Sequence, residues 1–405
     1  LPFILTPKQC TSVVNQLGKG VALAEMYGVS TQALTMKDQQ RIGDFLALLG
    51  INQRCLHASF YSMRGRRKRL HAPNLSYQQP WWQDVNIISR YFARLSYLLR
   101  QGRYEAEVLV IHPIESAYML YEPLRYREDI TKREPMPELE EMNSHLVTLS
   151  KHLLELGLGF DYADESMLAE YGRIDDQDNF YLGNMRYRVI ILPQLITLRR
   201  STVDFLNELA KKGYRIMSTA SSLPSFVEGQ PSVLPEQLLS SIIQVLNTKD
   251  DLAKALIPAL NANAPGYPAN PDLNGHSGIW LHRRYLDDKD ELLFACNVHE
   301  QETKQLALNV VKGAVVEQLN LVDGSVQPLS IEENRDLSKC TICIPPESSL
   351  MLHITQKAHL DLPSKEVRMG DYTKKQVVLP DCWRMERLSP NALPLDYCRL
   401  IVDSQ

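Results

Sequence analysis

The stretch Gly20-Val-Ala-Leu-Ala-Glu25-Met-Tyr27-Gly28 decides how the first part of the chain is interpreted. A short apolar run leads to the carboxylate of Glu25 and then breaks at Tyr27-Gly28, a pattern typical of a buried strand with an acid or base at its end. Residues 35–50 have apolar side chains at helical spacing and end in a glycine, and residues 54–61 predict a second strand. The order is strand, helix, strand, which is a βαβ unit.

This βαβ unit predicts the end of a (β/α)8 barrel. Catalytic residues of such barrels lie at the carboxyl ends of the strands, so we expect Glu25 and the segment 57–61 to face one pocket. The alternative is that Glu25 only begins a solvated loop. An amphipathic helix predicted over 85–99 would be the last barrel helix. Trp81, just before it, could stack on a sugar ring or anchor the start of the helix.

Composition limits the classes of function. At 405 residues the chain should contain two to four domains, and its net charge of -4 argues against a general binder of nucleic acids or anionic membranes. No apolar run is long enough to span a bilayer. The first residues include neither an initiator Met nor a signal peptide, so either a leader has been removed or, as we expect, this is a piece excised from a longer protein. Seven scattered cysteines predict no disulfide framework and favour a reducing compartment, the cytoplasm.

Two local motifs are candidates for ligand binding. Cys340 and Cys343 resemble half of a zinc site, but they lie on a predicted strand, where residues three apart face opposite sides, so we expect no metal site. The loop 62–73 carries five cations at the six positions 64–69. A nucleic-acid patch is one interpretation of this loop. A solvated or substrate-facing loop is the favoured one, because the loop is single and the chain is acidic.

The rest of the chain predicts an α/β domain and then a β domain. Residues 105–262 follow the order β-α-β-β-α-β, which is typical of a flavodoxin-like doubly wound domain. This domain has no glycine-rich phosphate loop, so we expect a structural or oligomer-forming role, with a flavin or nucleotide site as the alternative. Short strands over 274–357 predict a β-sandwich. Residues 358–405 predict a linker and the start of a further β domain.

Several motifs together resemble a known enzyme family. They are 23–28, 61–69, 79–82, 91–99 and 191–193, with the sequences LAEMYG, YSMRGRRKR, QPWW, YFARLSYLL and ILP. With the domain order, they resemble the C-terminal part of a large bacterial glycoside hydrolase, similar to the α-L-rhamnosidase-like proteins of family 106. A similar layout occurs in the family 42 β-galactosidases, whose middle domain helps to form an oligomer. The resemblance therefore implies a glycosidase, and a homo-oligomer is an expected assembly.

The resemblance also implies roles for individual residues. Glycosidases of this layout use two carboxylates, and Glu25 would be the nucleophile or the base that activates water. Its partner would come from an earlier strand, because a complete barrel needs about 250 residues and only half of one is expected here. His57, Tyr61 and Arg64 could bond sugar hydroxyls. Family 106 implies inversion and a calcium ion in the full-length protein, but no ligand set for calcium can be matched and no cofactor is expected in this chain.

Three hypotheses follow in order of preference. The first is a glycoside hydrolase whose substrate is an oligosaccharide, with no nucleic-acid or membrane partner. The second is a non-catalytic carbohydrate-binding or assembly module of a larger protein. The third is a flavin or nucleotide protein built on the middle domain. An isolated half barrel would leave strand edges unpaired, so self-association or disorder of residues 1–104 is also expected.

Overall fold

A computed structural model describes residues 3–122, 136–260, 278–333 and 337–356. Within this part of the chain, residues 27–34 and 56–83 form a smaller compact unit, and the other described residues form a larger one. The predicted linker and further β domain at 358–405 lie outside the described residues. The predicted domain boundaries at 104, 262, 274 and 357 stay predictions.

The first part of the chain alternates helices with short strands. Its elements are α1 (Leu5–Gln16), β1 (Leu23–Met26), α2 (Met36–Leu48), β2 (Gln53–Leu56) and α3 (Val85–Leu98), with 3₁₀ helices at Gly65–Arg69 and Trp82–Asp84. The predicted order of strand, helix and strand is confirmed, and β1 and β2 are hydrogen-bonded neighbours. The predicted strand over 54–61 is too long, because β2 ends at Leu56 and the chain enters a loop at His57, whose peptide bond to Ala58 is cis.

The prediction that β1 is a buried strand is wrong for the described chain. Ala22 and Met26, on either side of its exposed residues, are buried, but Leu23 is 53% exposed and Glu25 is exposed as well. The reason is that, among the described residues, β1 pairs with one strand only, β2. A strand with a single neighbour leaves part of its surface in water.

The middle of the chain contains a parallel sheet flanked by helices. In chain order the elements are β3 (Arg103–Tyr104), β4 (Val108–Ile111), α4 (Ile114–Leu120), α5 (Pro137–Glu155), β5 (Phe160–Ala163), α6 (Glu165–Tyr171), β6 (Gly172–Ile174), β7 (Phe180–Leu182), β8 (Met185–Tyr187), β9 (Val189–Leu192), β10 (Thr197–Leu198), α7 (Arg200–Lys211), β11 (Arg215–Ser218), β12 (Phe226–Val227), β13 (Gln230–Pro231), α8 (Glu236–Ser241), β14 (Ile242–Gln244) and α9 (Lys249–Leu260). The sheet order is β14-β11-β9-β4-β5, and all of its pairs are parallel. Numbered along the chain, this order is 2-1-3-4-5, which is that of flavodoxin-like sheets.

Helices cover both faces of this sheet because its strands are apolar on both sides. Val110 of β4 belongs to a core that includes Leu149 of α5. Its neighbour Leu109 belongs to a second core that includes Leu206 of α7. Successive residues of a strand point to opposite faces, so a continuous apolar strand needs a helix on each side.

Two antiparallel sheets follow. Their strands are β15 (Ile279–Asp287), β16 (Asp290–Asn297), β17 (Lys304–Val311), β18 (Val315–Leu319), β19 (Val326–Pro328), β20 (Ile331–Glu332), β21 (Leu337–Ile344) and β22 (Ser349–Thr355). One sheet has the order β19-β18-β22-β16-β15-β3, and the other has the order β17-β21-β20. Leu293 of the first and Leu308 of the second share one buried core, as expected for a β-sandwich.

The outer face of the larger sheet packs on the N-terminal helices. Trp280 and Phe294 of this sheet belong to the same core as Phe92 of α3 and Leu149 of α5. The helices before residue 104, the parallel sheet and the sandwich are therefore joined through one continuous core within the larger unit. In the described ranges, no helix is long and apolar enough to cross a membrane.

Helix α1 covers the edge strand β5 with polar side chains. Tyr162 N donates to Ser12 Oγ at 2.9 Å, and Gln16 Nε2 donates to Tyr162 O at the same distance. Lys8 Nζ lies 3.5 Å from Asp161 Oδ1, and both residues are buried. An edge strand exposes unpaired backbone groups, and here side chains of α1 satisfy them.

Candidate active site

Glu25 is held on a strand whose start is fixed by Asn52. Ala22 N donates to Asn52 Oδ1, Asn52 Nδ2 donates to Gly20 O, and Asn52 N donates to Ala22 O, all at 3.0 Å. Asn52 is buried, so these bonds are shielded from water. The side chain of Glu25 is exposed and, within the described residues, has no hydrogen-bond or ionic partner.

The chain changes direction directly after Glu25. Tyr27 is buried and has a φ of 74°, in the left-handed region that non-glycine residues seldom adopt. Such backbone conformations cluster at functional sites, where surrounding structure holds them in place. The predicted break at Tyr27-Gly28 is confirmed, and Glu25 stands one residue before the end of β1.

The four predicted substrate-binding residues all belong to the smaller unit. His57 is exposed in the first position after β2, and Tyr61 is 96% exposed. Arg64 is exposed and immediately precedes the 3₁₀ helix Gly65–Arg69. Trp81 is half-buried. Since Glu25 lies in the larger unit, the expectation that Glu25 and the segment 57–61 face one pocket stays a prediction.

Asn74 is the centre of the hydrogen-bond network in the smaller unit, and its side chain is fully buried. Its Oδ1 accepts from Phe60 N at 2.9 Å and from Ser76 Oγ at 3.1 Å. Its backbone N donates to Gln32 Oε1 at 3.0 Å, and Nδ2 donates to Gln78 Oε1 at 2.6 Å. One side chain thus connects the segment before the basic loop with the segment after it.

Backbone bonds close the same loop. Leu75 N donates to Ala58 O at 2.9 Å, and Ala58 N donates to Pro73 O at 3.3 Å. Thr31 N donates to His71 O at 2.7 Å, which attaches the segment 27–34 to the loop. The two ends of the basic loop are therefore close together, as in the compact surface loops that often carry function.

The described residues of the smaller unit provide cations but no carboxylate. Residues 27–34 and 56–83 contain five Lys and Arg residues and neither Asp nor Glu. The partner acid of Glu25 is therefore not among the described residues of this unit. Sequence reasoning identified the basic loop, but it missed Asn74, because an asparagine after a proline indicates only a turn.

A shallow cavity in the doubly wound domain is the candidate for a flavin or nucleotide site. Its volume is about 270 Å³, and its lining includes Glu115, Arg199 and Glu228. Arg199 Nε donates to Glu115 Oε1 at 2.6 Å, so its charge is already balanced by a carboxylate. Two carboxylates and one paired arginine are unfavourable for a phosphate group, which needs unpaired donors.

The described residues contain no group of three or more His, Cys, Asp or Glu side chains arranged to hold a metal ion. Cys340 is buried and Cys343 is exposed on β21, which confirms that the two thiols face opposite sides. The calcium ion implied for the full-length protein stays a prediction.

Comparison with solved structures supports the fold. The rhamnosidase from Novosphingobium sp. PP1Y is 18% identical with a TM-score of 0.64, and the match covers 91% of this chain and 34% of that one. The β-galactosidase from Bacillus circulans sp. alkalophilus is 10% identical with a TM-score of 0.54, covering 85% and 57%. A catalytic mutant of the GH42 β-galactosidase from G. stearothermophilus is 11% identical with a TM-score of 0.50, covering 80% and 51%.

These likenesses establish that the chain has a glycoside hydrolase-like fold. The chain spans less than two thirds of the length of each of these proteins. No protein-family model matches it, and no curated protein matches it by sequence.

Proposed function

We propose that this chain is part of a glycoside hydrolase that cleaves O-glycosidic bonds, with α-L-rhamnosides as the first substrates to test. The observation that carries the proposal is the likeness to the rhamnosidase structure over 91% of the chain. The sequence resemblance to family 106 supports the same enzyme class. A cytoplasmic location and a homo-oligomer belong to this proposal.

Glu25 is the proposed catalytic carboxylate of this chain. It is exposed, it lies on a strand fixed by the buried Asn52, and it has no neutralising partner within the described residues. An ionised carboxylate at such a position can attack a sugar carbon as nucleophile or accept a proton from water. The second carboxylate, which protonates the leaving oxygen, is expected from an upstream barrel strand.

The smaller unit is the proposed source of substrate-binding groups. His57, Tyr61 and Arg64 present donors to solvent, and Trp81 offers an aromatic face for an apolar side of a sugar ring. Because this unit contributes no carboxylate in its described residues, its role would be binding and orientation, which lower the barrier by positioning.

The test is release of aryl alcohol from a panel of aryl glycosides that includes an α-L-rhamnoside and a β-galactoside. It uses the protein extended upstream to a complete barrel, its Glu25→Gln variant and the control Glu208→Gln, which changes an exposed glutamate of α7. We expect one glycoside to be cleaved and Glu25→Gln to lose about a hundredfold or more in rate. Equal loss in both variants would remove Glu25 from the mechanism.

The alternative is a non-catalytic carbohydrate-binding or assembly module. It is favoured because residues 27–34 and 56–83, the described part of the smaller unit, contain no Asp or Glu that could act as the second carboxylate. In that case the extended protein would cleave no glycoside in the panel but would still bind an oligosaccharide, and Glu25→Gln would leave that binding unchanged.

A further inference from the structure

The basic loop of the smaller unit has an unusual charge balance. Residues 56–83 contain five Lys and Arg residues and no acid, whereas the whole chain has a net charge of -4. Surface segments normally mix charges of both signs. A one-sign cluster repels itself, and an anion bound there would relieve that repulsion.

Three guanidinium groups of this loop are available to a ligand. Arg64, Arg66 and Arg67 are exposed, and their side chains have no ionic or hydrogen-bond partner among the described residues. Arginine forms paired, planar hydrogen bonds with carboxylate and sulfate-like oxyanions, which lysine cannot do. The composition of the loop therefore favours recognition of oxyanions over simple solvation.

The loop also arranges these groups before a ligand binds. A 3₁₀ helix rises ~2 Å per residue, so the positions from Arg66 to Arg69 extend over roughly 6 Å of the helix axis. The buried Asn74 and the bond from Leu75 N to Ala58 O fix the two ends of the loop. Preorganisation of this kind reduces the entropy lost on binding.

Aromatic rings accompany the cations. Tyr61 precedes Arg64 by three residues, and both Tyr61 and Tyr77 are among the most exposed aromatic side chains of the described chain. The apolar faces of sugar rings can pack on such exposed rings. Cations together with exposed aromatic rings suit a ligand that combines sugar rings with negative groups.

We propose that the smaller unit binds an acidic oligosaccharide through oxyanions, carboxylate or sulfate, that pair with Arg64, Arg66 and Arg67. The inference rests on the proposed function in taking the ligand to be an oligosaccharide, and it specifies the substrate class. A nucleic acid is disfavoured because the charge is confined to one loop of an acidic chain.

The test is titration calorimetry of the full chain with ligands of equal length: an oligogalacturonate, a sulfated galacto-oligosaccharide, a neutral galacto-oligosaccharide and a single-stranded oligonucleotide. We expect at least one acidic sugar to bind about tenfold or more tightly than the neutral one, and this preference to fall with added salt. The galacturonate and sulfate arms distinguish which oxyanion is recognised.

The decisive variant is Arg64→Gln/Arg66→Gln/Arg67→Gln. Its matched control is Lys211→Gln/Lys289→Gln/Lys312→Gln, which removes three exposed cations of the larger unit. We expect the first variant to lose the acidic preference by tenfold or more and the control to keep it. Equal binding of the neutral sugar, equal loss in the control, or equally tight binding of the oligonucleotide would each overturn the proposal.

The design separates this inference from the proposed catalysis, because binding is measured on the Glu25→Gln background as well. Acidic preference without cleavage of any glycoside would support the binding site and contradict the hydrolase. Cleavage of a neutral glycoside without acidic preference would support the hydrolase and contradict the binding site.

Discussion

At the junction of α1 and β5, Lys8 and Asp161 are buried and paired, whereas Arg64, Arg66 and Arg67 of the smaller unit are exposed and have no carboxylate partner among the described residues. Both regions are rich in charged and polar side chains. The difference is that buried charges must neutralise each other, whereas exposed cations are solvated by water and stay available to a ligand. Burial therefore separates charges that hold the fold from charges that suit recognition.

The largest expected change in the free energy of unfolding comes from removing one partner of the buried pair Lys8 and Asp161. Asp161 Oδ1 accepts from Asn15 Nδ2 at 3.0 Å, and its Oδ2 accepts from the Tyr187 hydroxyl at 3.1 Å. Burial raises the pKa of Asp161 and lowers the pKa of Lys8, and each partner offsets part of the other's shift. Asp161→Ala would leave the Lys8 ammonium buried without its carboxylate, which costs about 3–5 kcal/mol.

Urea unfolding of the parent and the Asp161→Ala variant measures this cost. The control is Lys8→Met combined with Asp161→Leu, which removes both charges and should recover much of the lost stability, because apolar replacement of a buried pair is often neutral. A loss below about 1 kcal/mol in Asp161→Ala would show that water reaches the junction and that the contrast between the two regions is weaker than the structure indicates.

A second buried carboxylate predicts a pH dependence. Asp44 of α2 accepts from the Tyr91 hydroxyl at 2.8 Å and from Ser349 Oγ at 2.6 Å, so it connects α2, α3 and β22. Burial raises the pKa of Asp44 to about 6, with the hydroxyl hydrogen bonds acting in the opposite direction. The folded state therefore binds the proton more tightly than the unfolded state, whose carboxyl has the ordinary value of 3.8.

The direction in which stability changes with pH follows from this difference in pKa between the folded and unfolded states. The contribution of Asp44 to stability increases as pH falls from about 7 towards 4 and is lost as pH rises through about 6, with a total of about 3 kcal/mol at most. In urea unfolding, the parent should gain stability relative to Asp44→Asn over this interval, because the variant cannot titrate at this position. A difference between the two proteins that does not change with pH would contradict the prediction.

Periodic apolar patterns predicted much of the fold, and buried polar contacts were not predictable. The spacing over 85–99 predicted α3, and the pattern of short strands over 274–357 predicted β15 and β16. Strand β14 was not predicted, because it has only three residues and its Ile243 is exposed. The burial of the polar face of α1 could not be predicted, because it depends on β5, which lies about 145 residues further along the chain.

In the candidate site, too, some residues could be predicted from the sequence and others could not. The pattern around Glu25 indicated a strand that ends in a carboxylate, and the cluster at 64–69 indicated a basic loop. Asn74 could not be assigned a role from the sequence, because its partners Phe60 and Gln32 are distant in the chain and ordinary in type. Local patterns identify charged groups, and only tertiary contacts show which of them are fixed.

The smallest expected effect concerns the three exposed arginines of the smaller unit. The triple variant Arg64→Gln/Arg66→Gln/Arg67→Gln should change the free energy of unfolding by only about 0.5 kcal/mol per site, the usual range for surface substitutions. At low salt the change should favour the variant, because three like charges are removed, and high salt should cancel the gain by screening. Urea unfolding at two salt concentrations measures both the gain in stability at low salt and its loss at high salt. A loss of more than about 1 kcal/mol per site would mean that these arginines hold the fold, and the loss of acidic-sugar binding in the same variant would then report misfolding instead of a missing contact.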